Sequence, residues 1–268
     1  MFQSPGPILV HLGPLAIRWY GLAIAGGFLA SVYAAVRLAR RWGIDSDKIV
    51  NGGLVAFIGG IVGARLYFVA LSWPYFSLHP WEILATWHGG LSIHGGLAGG
   101  LAAGVIYCLW VKLPVLTACD IAGCVIGLGQ AIGRWGNFFN NEAFGRPVPL
   151  NFPLKLYIPE EFRPLAYQNV EYFHPAFLYE AIWDATVFAL LYFLLADRLK
   201  DKPGMLFLLY VAGYSTGRLI IEPIRTDSII AFNIPVPVIA SLVLIVVSLA
   251  GLAYLTIRYR SPSQSKAR

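Results

Sequence analysis

The chain has 268 residues, 57% of them hydrophobic and only 13% charged, with a mean hydropathy of +0.65. A soluble domain carries about 25% charged residues, so the composition excludes an ordinary soluble fold and points to a membrane protein. The net charge of +6 does not indicate a nucleic-acid partner, because the basic residues gather beside apolar runs, where they set topology.

The first residues contain Pro5, Pro7, Gly13 and Pro14 but no basic n-region, so no cleavable signal peptide is expected. A bilayer span needs about 20 mostly apolar residues. Seven segments qualify, at 17–37, 50–71, 94–111, 115–135, 175–196, 204–222 and 236–257. They predict an all-α polytopic membrane protein in which residues 1–268 form a single membrane-embedded domain. Arg37, Arg40, Arg41 and Lys48 follow the first span, Lys112 the third, Arg198, Lys200 and Lys202 the fifth, and Arg258 and Arg260 the seventh. All four groups fall on one side, which the positive-inside rule makes cytoplasmic, leaving the N-terminus outside and the C-terminus inside. Two longer segments then face outward. Residues 72–93, with Trp73, Trp81 and Trp87, suit the headgroup region. Residues 136–174, rich in proline, predict a small extracytoplasmic cap with short strands. The polar tail at 260–268 is expected to be disordered.

Glycines spaced by four, such as Gly59/Gly63 and Gly95/Gly99, predict close helix packing. Cys108, Cys119 and Cys124 lie in apolar stretches without metal-ligand spacing and read as inert thiols; no metal site or cofactor is expected.

Ionisable groups at membrane depth are costly and mark functional sites. Arg18, Tyr20 and Arg65 lie near the outer ends of the first two spans, although Tyr20 also suits an aromatic belt. Next comes Gly-Gly-Leu-Ser-Ile-His-Gly-Gly at 89–96, whose glycines strip bulk from around His94. His94 is either a reactive group or a hydrogen-bonded structural one. The run from Gly133 to Gly145 holds Arg134, Asn137, Asn141 and Glu142; if the helix continues, Arg134, Asn137 and Asn141 share a face. His174-Pro175-Ala176-Phe177-Leu178-Tyr179-Glu180 opens the fifth span, with Asp184 one turn beyond Glu180. Glu180 could partner an arginine on another span or act catalytically. Tyr214, Arg218, Glu222 and Arg225 form a polar stripe along the sixth span. Arginines suit a phosphate group, which guanidinium pairs in a bidentate way. The residues alone therefore predict an outward pocket for a phospholipid headgroup, containing one histidine.

The Gly-Arg-Trp-Gly-Asn-Phe-Phe-Asn-Asn-Glu run, the His94 and Glu180 motifs, Ile17-Arg18-Trp19-Tyr20-Gly21 and Tyr-Ser-Thr-Gly-Arg-Leu-Ile-Ile-Glu-Pro-Ile-Arg at 214–225 resemble bacterial prolipoprotein diacylglyceryl transferases. The resemblance runs from residue 8 to about 258. It implies a seven-span protein of the bacterial plasma (inner) membrane with its active site on the extracytoplasmic side. It implies transfer of the diacylglyceryl group of phosphatidylglycerol to the lipobox cysteine of a prolipoprotein signal peptide, giving a thioether and glycerol phosphate. The important residues it carries over are Tyr20, His94, Arg134, Asn137, Glu142, Gly145, Glu180, Arg218 and Glu222. In chemical terms, His94, Arg134, Arg218, Glu142, Glu222 and Tyr20 are the expected catalytic set. Arg134, Asn137, Gly145, Arg218, Arg225, Glu180 and Tyr214 are the expected substrate-binding set. Two other classes compete. A phospholipid-binding transporter without chemistry should show access to both faces, whereas the ionisable residues here favour one. An intramembrane hydrolase needs a nucleophile or metal motif that the chain lacks.

Overall fold

The computed structural model describes residues 2–260 except Pro14, Ile229 and Phe232; the tail expected to be disordered lies, beyond Arg260, outside the described residues. Among the described residues, seven helices are long and apolar enough to cross a membrane. They are α1 (Trp19–Arg41), α2 (Ser46–Leu71), α3 (Ile93–Trp110), α4 (Val115–Phe139), α5 (Ala176–Leu199), α6 (Met205–Ile221, extended by a 3-10 turn to Ile224) and α7 (Val236–Arg260). Each matches a predicted span to within a few residues. Only 11% of the most apolar window of α7 is buried within the protein, which leaves Leu242, Val243, Val246 and Val247 to face lipid.

The chain forms two compact units, Met1–Ala35 with Cys119–Arg268, and Val36–Ala118. In the second unit, α2 and α3 pack along their glycines. A side chain at Gly63 would stand 2.8 Å from the Gly99 Cα, and one at Gly100 would stand 3.1 Å from the Ala56 carbonyl. The backbones meet with almost nothing between them, so dispersion contacts replace a hydrophobic drive that lipid cannot supply. The segment between these helices is a helical turn (Trp73–Phe76) and two 3-10 turns (Pro80–Leu84 and Thr86–His88).

In the first unit, a Cβ at Gly27 would lie 2.8 Å from the Gly129 carbonyl, one at Gly127 2.8 Å from the Asp184 carbonyl, and one at Gly123 2.9 Å from the Phe207 Cα. These three contacts bring α1, α5 and α6 against α4. Asp120 of α4, 1% exposed, caps α6 from outside it. Its carboxylate accepts from the Gly204 N–H at 2.7 Å and the Phe207 N–H at 2.8 Å, donors that the first turn of a helix leaves unpaired. Within α5, Leu190–Leu195 adopt a π turn.

The cap is as irregular as its prolines predict. Strands β4 (Leu156–Tyr157) and β5 (Tyr172–Phe173) pair antiparallel, and β1 (Phe2–Gln3) adds parallel to β4. Phe138, Phe144, Leu156, Ile158, Phe173 and Phe177 form a buried cluster beneath them. Strands β2 (Ile8–Leu12) and β3 (Leu15–Arg18) make a hairpin that leads straight into α1, and β6 (Ile230–Ala231) pairs with β7 (Ile234–Pro235) before α7. Neither hairpin was expected from the sequence.

Candidate functional site

The first unit gathers most of the singled-out polar residues around one carboxylate. Glu180, in the second turn of α5, is 4% exposed. Its Oε1 accepts from Arg218 Nη1 at 2.6 Å and from Arg225 Nη1 at 2.8 Å, and its Oε2 lies 3.0 Å from Arg134 Nη1. Three arginines from α4, from α6 and from the strand-like residue after its terminal turn thus converge on one buried anion. Of the two roles open to Glu180, partnership with arginines is what the geometry displays.

The three guanidiniums are not equally committed. Arg225 points Nη1 at Glu180 and its Nε and Nη2 at Asp227, at 3.0 and 2.6 Å. Burial works against the Arg225 charge, but Glu180 and Asp227 outweigh it and raise its pKa above the ordinary value. Arg218 donates to Glu180 at 2.6 Å and stands 2.6 Å from Glu222 Oε2, a contact of charge only, while Ser228 Oγ donates to the other Glu222 oxygen at 2.6 Å. Arg134 is held only by charge. Its Nε is 3.6 Å from Asp184 Oδ2, and Arg134 Nε, Glu180 Oε2 and Asp184 Oδ2 are buried without a partner in hydrogen-bonding geometry. Arg134 is therefore the arginine with donor capacity to spare, which an added oxyanion would satisfy.

The end of α4 departs from the expected stripe. The helix stops at Phe139 and Asn141 takes a left-handed φ of 54°, so Asn141 leaves the face that Arg134 and Asn137 share. Glu142 is exposed and accepts from Asn137 Nδ2 at 2.8 Å and Asn140 Nδ2 at 3.4 Å. The carboxylates found on the arginines are Glu180, Glu222, Asp184 and Asp227, and the expected orienting role of Glu142 toward an arginine has no direct contact behind it. Tyr20, 38% exposed, lies against α4, since a side chain at Gly136 would meet its ring at 2.7 Å. Tyr214 stacks on Tyr210 with ring centroids 6.2 Å apart, and Tyr210 donates to Gln130 at 2.9 Å.

Gly145 is a junction of the chain with itself. Its N–H donates to the His174 carbonyl at 2.9 Å, it bridges to Arg225, and a Cβ there would stand 2.7 Å from His174 Cβ and 2.8 Å from Ile224. The space that glycine leaves is filled by protein, and through it the Glu180 and Arg225 segments are tied together. His174 shares a hydrogen bond with Tyr179 at 3.1 Å, and burial lowers its imidazole pKa below the ordinary value.

His94 belongs to the other unit, exposed in the first turn of α3, with its ring centroid 6.4 Å from that of Tyr67. Arg65, 7% exposed in the same unit, pairs with backbone. Its guanidinium donates to the carbonyls of Ile83 (2.8 Å), Gly89 (2.8 Å), Gly90 (3.0 Å) and Glu82, while Phe76 lies under it at 5.2 Å. It locks the segment that leads into His94. Arg18 is exposed and takes no place in the Glu180 cluster.

Asp184 joins the cluster from the turn beyond Glu180, where the i, i+4 spacing placed it, whereas Asp227 and Ser228 were not expected there and sit in a loop with no periodic signal.

The sequence profile described as prolipoprotein diacylglyceryl transferase matches residues 7–254. A phosphatidylglycerol–prolipoprotein diacylglyceryl transferase of Trichormus variabilis is 47% identical over 264 residues, covering 97% of this chain and 93% of that protein. The enzyme of the same name from Synechococcus elongatus is 46% identical, covering 95% of this chain and 89% of its own. That from Staphylococcus aureus is 42% identical, covering 99% of this chain and 95% of its own.

Proposed function

The chain belongs to the prolipoprotein diacylglyceryl transferase family, and from that premise we propose how its buried arginine–carboxylate cluster serves the reaction. The enzyme is a membrane transferase that moves the diacylglyceryl group of phosphatidylglycerol to a prolipoprotein. The acceptor atom we infer is the sulfur of the lipobox cysteine, and the second product glycerol phosphate. Sulfur bonds to the glyceryl carbon that bears the phosphate ester. The carbon–oxygen bond breaks, and its electron pair leaves with the phosphate.

The observation that carries this assignment is the state of Arg134, half-buried and held to Glu180 and Asp184 by charge alone. A phosphate oxygen entering there gains donors without displacing a hydrogen bond. Negative charge grows on that phosphate as the ester breaks, and donors already aimed at it lower the barrier in a water-poor setting. Arg218 stands beside Arg134 through their shared Glu180. Glu222, Glu180 and Arg225 act by holding these two in place. Asn137, with Tyr20 and Tyr214, completes the headgroup contacts, Glu142 positions Asn137, and Gly145 lets the His174 and Ile224 segments close up beside the cluster.

A free thiol has a pKa near 8.5, so only a minority is ionised at neutral pH. His94 is the candidate to take the thiol proton, because a ring nitrogen of its imidazole can accept it. The site is read as extracytoplasmic from the positions of Arg37, Lys48, Arg198 and Arg258, and the membrane as a bacterial plasma membrane from the family.

The test is purified protein in phosphatidylglycerol liposomes with a lipobox peptide, followed by mass spectrometry. A diacylglyceryl adduct with matching glycerol phosphate, absent when the peptide cysteine is serine, supports the proposal. Binding of phosphatidylglycerol without either product overturns the chemistry and leaves a lipid-binding transporter.

A further inference from the structure

The first unit also carries a cleft of about 550 Å³ that borders the headgroup residues at Glu142 and Asp227 and extends away from them. Its walls include Asn140, Asn141, Glu142, Phe162, Pro164 and Asp227, and every lining residue lies outside the membrane-crossing helices. Asn141 is only 5% exposed, yet its Oδ1 has no hydrogen-bond partner. Asn140 Oδ1 is likewise buried and unpartnered. Buried polar groups are nearly always satisfied, so a buried acceptor left open in a cleft points to a donor that arrives from outside.

The chemistry of the lining narrows the visitor. The polar groups that line it are of both kinds: the carboxamides of Asn140 and Asn141, the Glu142 carboxylate, the Asp227 carboxylate already paired with Arg225, the Thr226 hydroxyl and the Arg18 guanidinium. A phosphate offers acceptors alone, whereas a peptide main chain alternates N–H donors with C=O acceptors and matches a lining of both kinds. A volume in the range of ordinary ligand pockets is far more than a glycerol fills, and suits on the order of three or four residues of extended chain. The main chain of a peptide presents N–H donors along its edge, and proline and phenylalanine walls suit its side chains. The apolar part of a signal peptide precedes the modified cysteine and lies in the bilayer, so the residues that leave the membrane are those after it.

We propose that this cleft binds the main chain of the acceptor polypeptide just beyond the cysteine, with Asn141 Oδ1 accepting one of its N–H groups. The proposal rests on the transferase reading of the site. It makes the cap a substrate-binding element and predicts that acceptor residues past the lipobox contribute to affinity.

The experiment compares two peptides, one ending at the lipobox cysteine and one extended by four residues, with wild type, Asn141→Gly and Phe162→Ala in phosphatidylglycerol liposomes. Glycine keeps the left-handed backbone at position 141, and Phe162 is 39% exposed, so its truncation leaves the buried core untouched. Wild type is expected to show a KM for the extended peptide about five- to tenfold below that for the short one, as one added hydrogen bond would give. Each variant is expected to erase that advantage while the KM for phosphatidylglycerol stays unchanged. Equal KM values for the two peptides in wild type, or an advantage that survives both substitutions, overturns the inference alone. A raised KM for phosphatidylglycerol in Asn141→Gly with the peptide KM unchanged assigns the cleft to lipid and also overturns it. Wild type that modifies neither peptide removes the transferase reading and this inference with it.

Discussion

Replacing Glu180 by glutamine tests the cluster at its centre. The substitution keeps shape and one acceptor oxygen but removes the charge that faces Arg134, Arg218 and Arg225 at 3.0, 2.6 and 2.8 Å. It also turns an amide N–H₂ toward one of these cations. Glu180 is 4% exposed, so water compensates little. Breaking a buried ion pair by removing one partner costs about 3–5 kcal/mol, and here three cations share the loss, although Glu222, Asp184 and Asp227 still neutralise part of it. A loss of about 3 kcal/mol, the low end of that range, is therefore expected. The assay is thermal unfolding in detergent, with and without phosphatidylglycerol. A headgroup phosphate can replace the missing anion, so the lipid should stabilise Glu180→Gln more than wild type and narrow the gap between them. An uncharged monoacylglycerol should leave the gap unchanged. A loss under about 1 kcal/mol, or a gap that phosphatidylglycerol does not narrow, refutes the reasoning.

Arg134→Lys retains the charge but loses the planar fork, and transfer is expected to fall by about 10²-fold in kcat/KM with the fold intact, as for loss of one oxyanion donor; steady-state kinetics and an unchanged melting temperature check it. His94→Gln is expected to lower turnover of the lipobox peptide; near-normal turnover removes the general base from the mechanism. Asp120→Ala leaves the Gly204 and Phe207 N–H groups open and is expected to cost about 1–3 kcal/mol of stability, read by thermal unfolding, while KM for both substrates holds. Arg65→Ala frees the carbonyls of Ile83, Gly89 and Gly90, and limited proteolysis of the 72–92 segment should accelerate markedly while the rest of the chain resists.

What the sequence made legible follows from how membranes constrain it. An apolar run has one way to satisfy its backbone in lipid, so the seven spans were readable to within a few residues. Glycine spacing foretold close helix packing, because small residues at i, i+4 have few other uses inside a span, but not that α2 and α3 are the pair that meets. The arginines stood out because charge at that depth is expensive. The pairing among them was not readable: that Arg134, Arg218 and Arg225 all meet Glu180 is tertiary, and nothing in local spacing separates Glu180 from Glu142 as the hub. Asn141 fell off the expected face because it adopts the left-handed conformation that ends the helix, a state asparagine tolerates better than most residues. The β2–β3 hairpin was missed since Ile8–Leu12 is short, and only its pairing with Leu15–Arg18 defines it.

The claim that sulfur attacks the glyceryl carbon is tested most directly by isotope position. Phosphatidylglycerol carrying ¹⁸O in the bridge between the diacylglyceryl carbon and phosphorus would be incubated with enzyme and lipobox peptide, and both products weighed by mass spectrometry. The account predicts that all label leaves in glycerol phosphate and that the peptide gains an unlabelled diacylglyceryl group. Label retained on the diacylglyceryl product would mean that the phosphorus–oxygen bond breaks instead, and would contradict it.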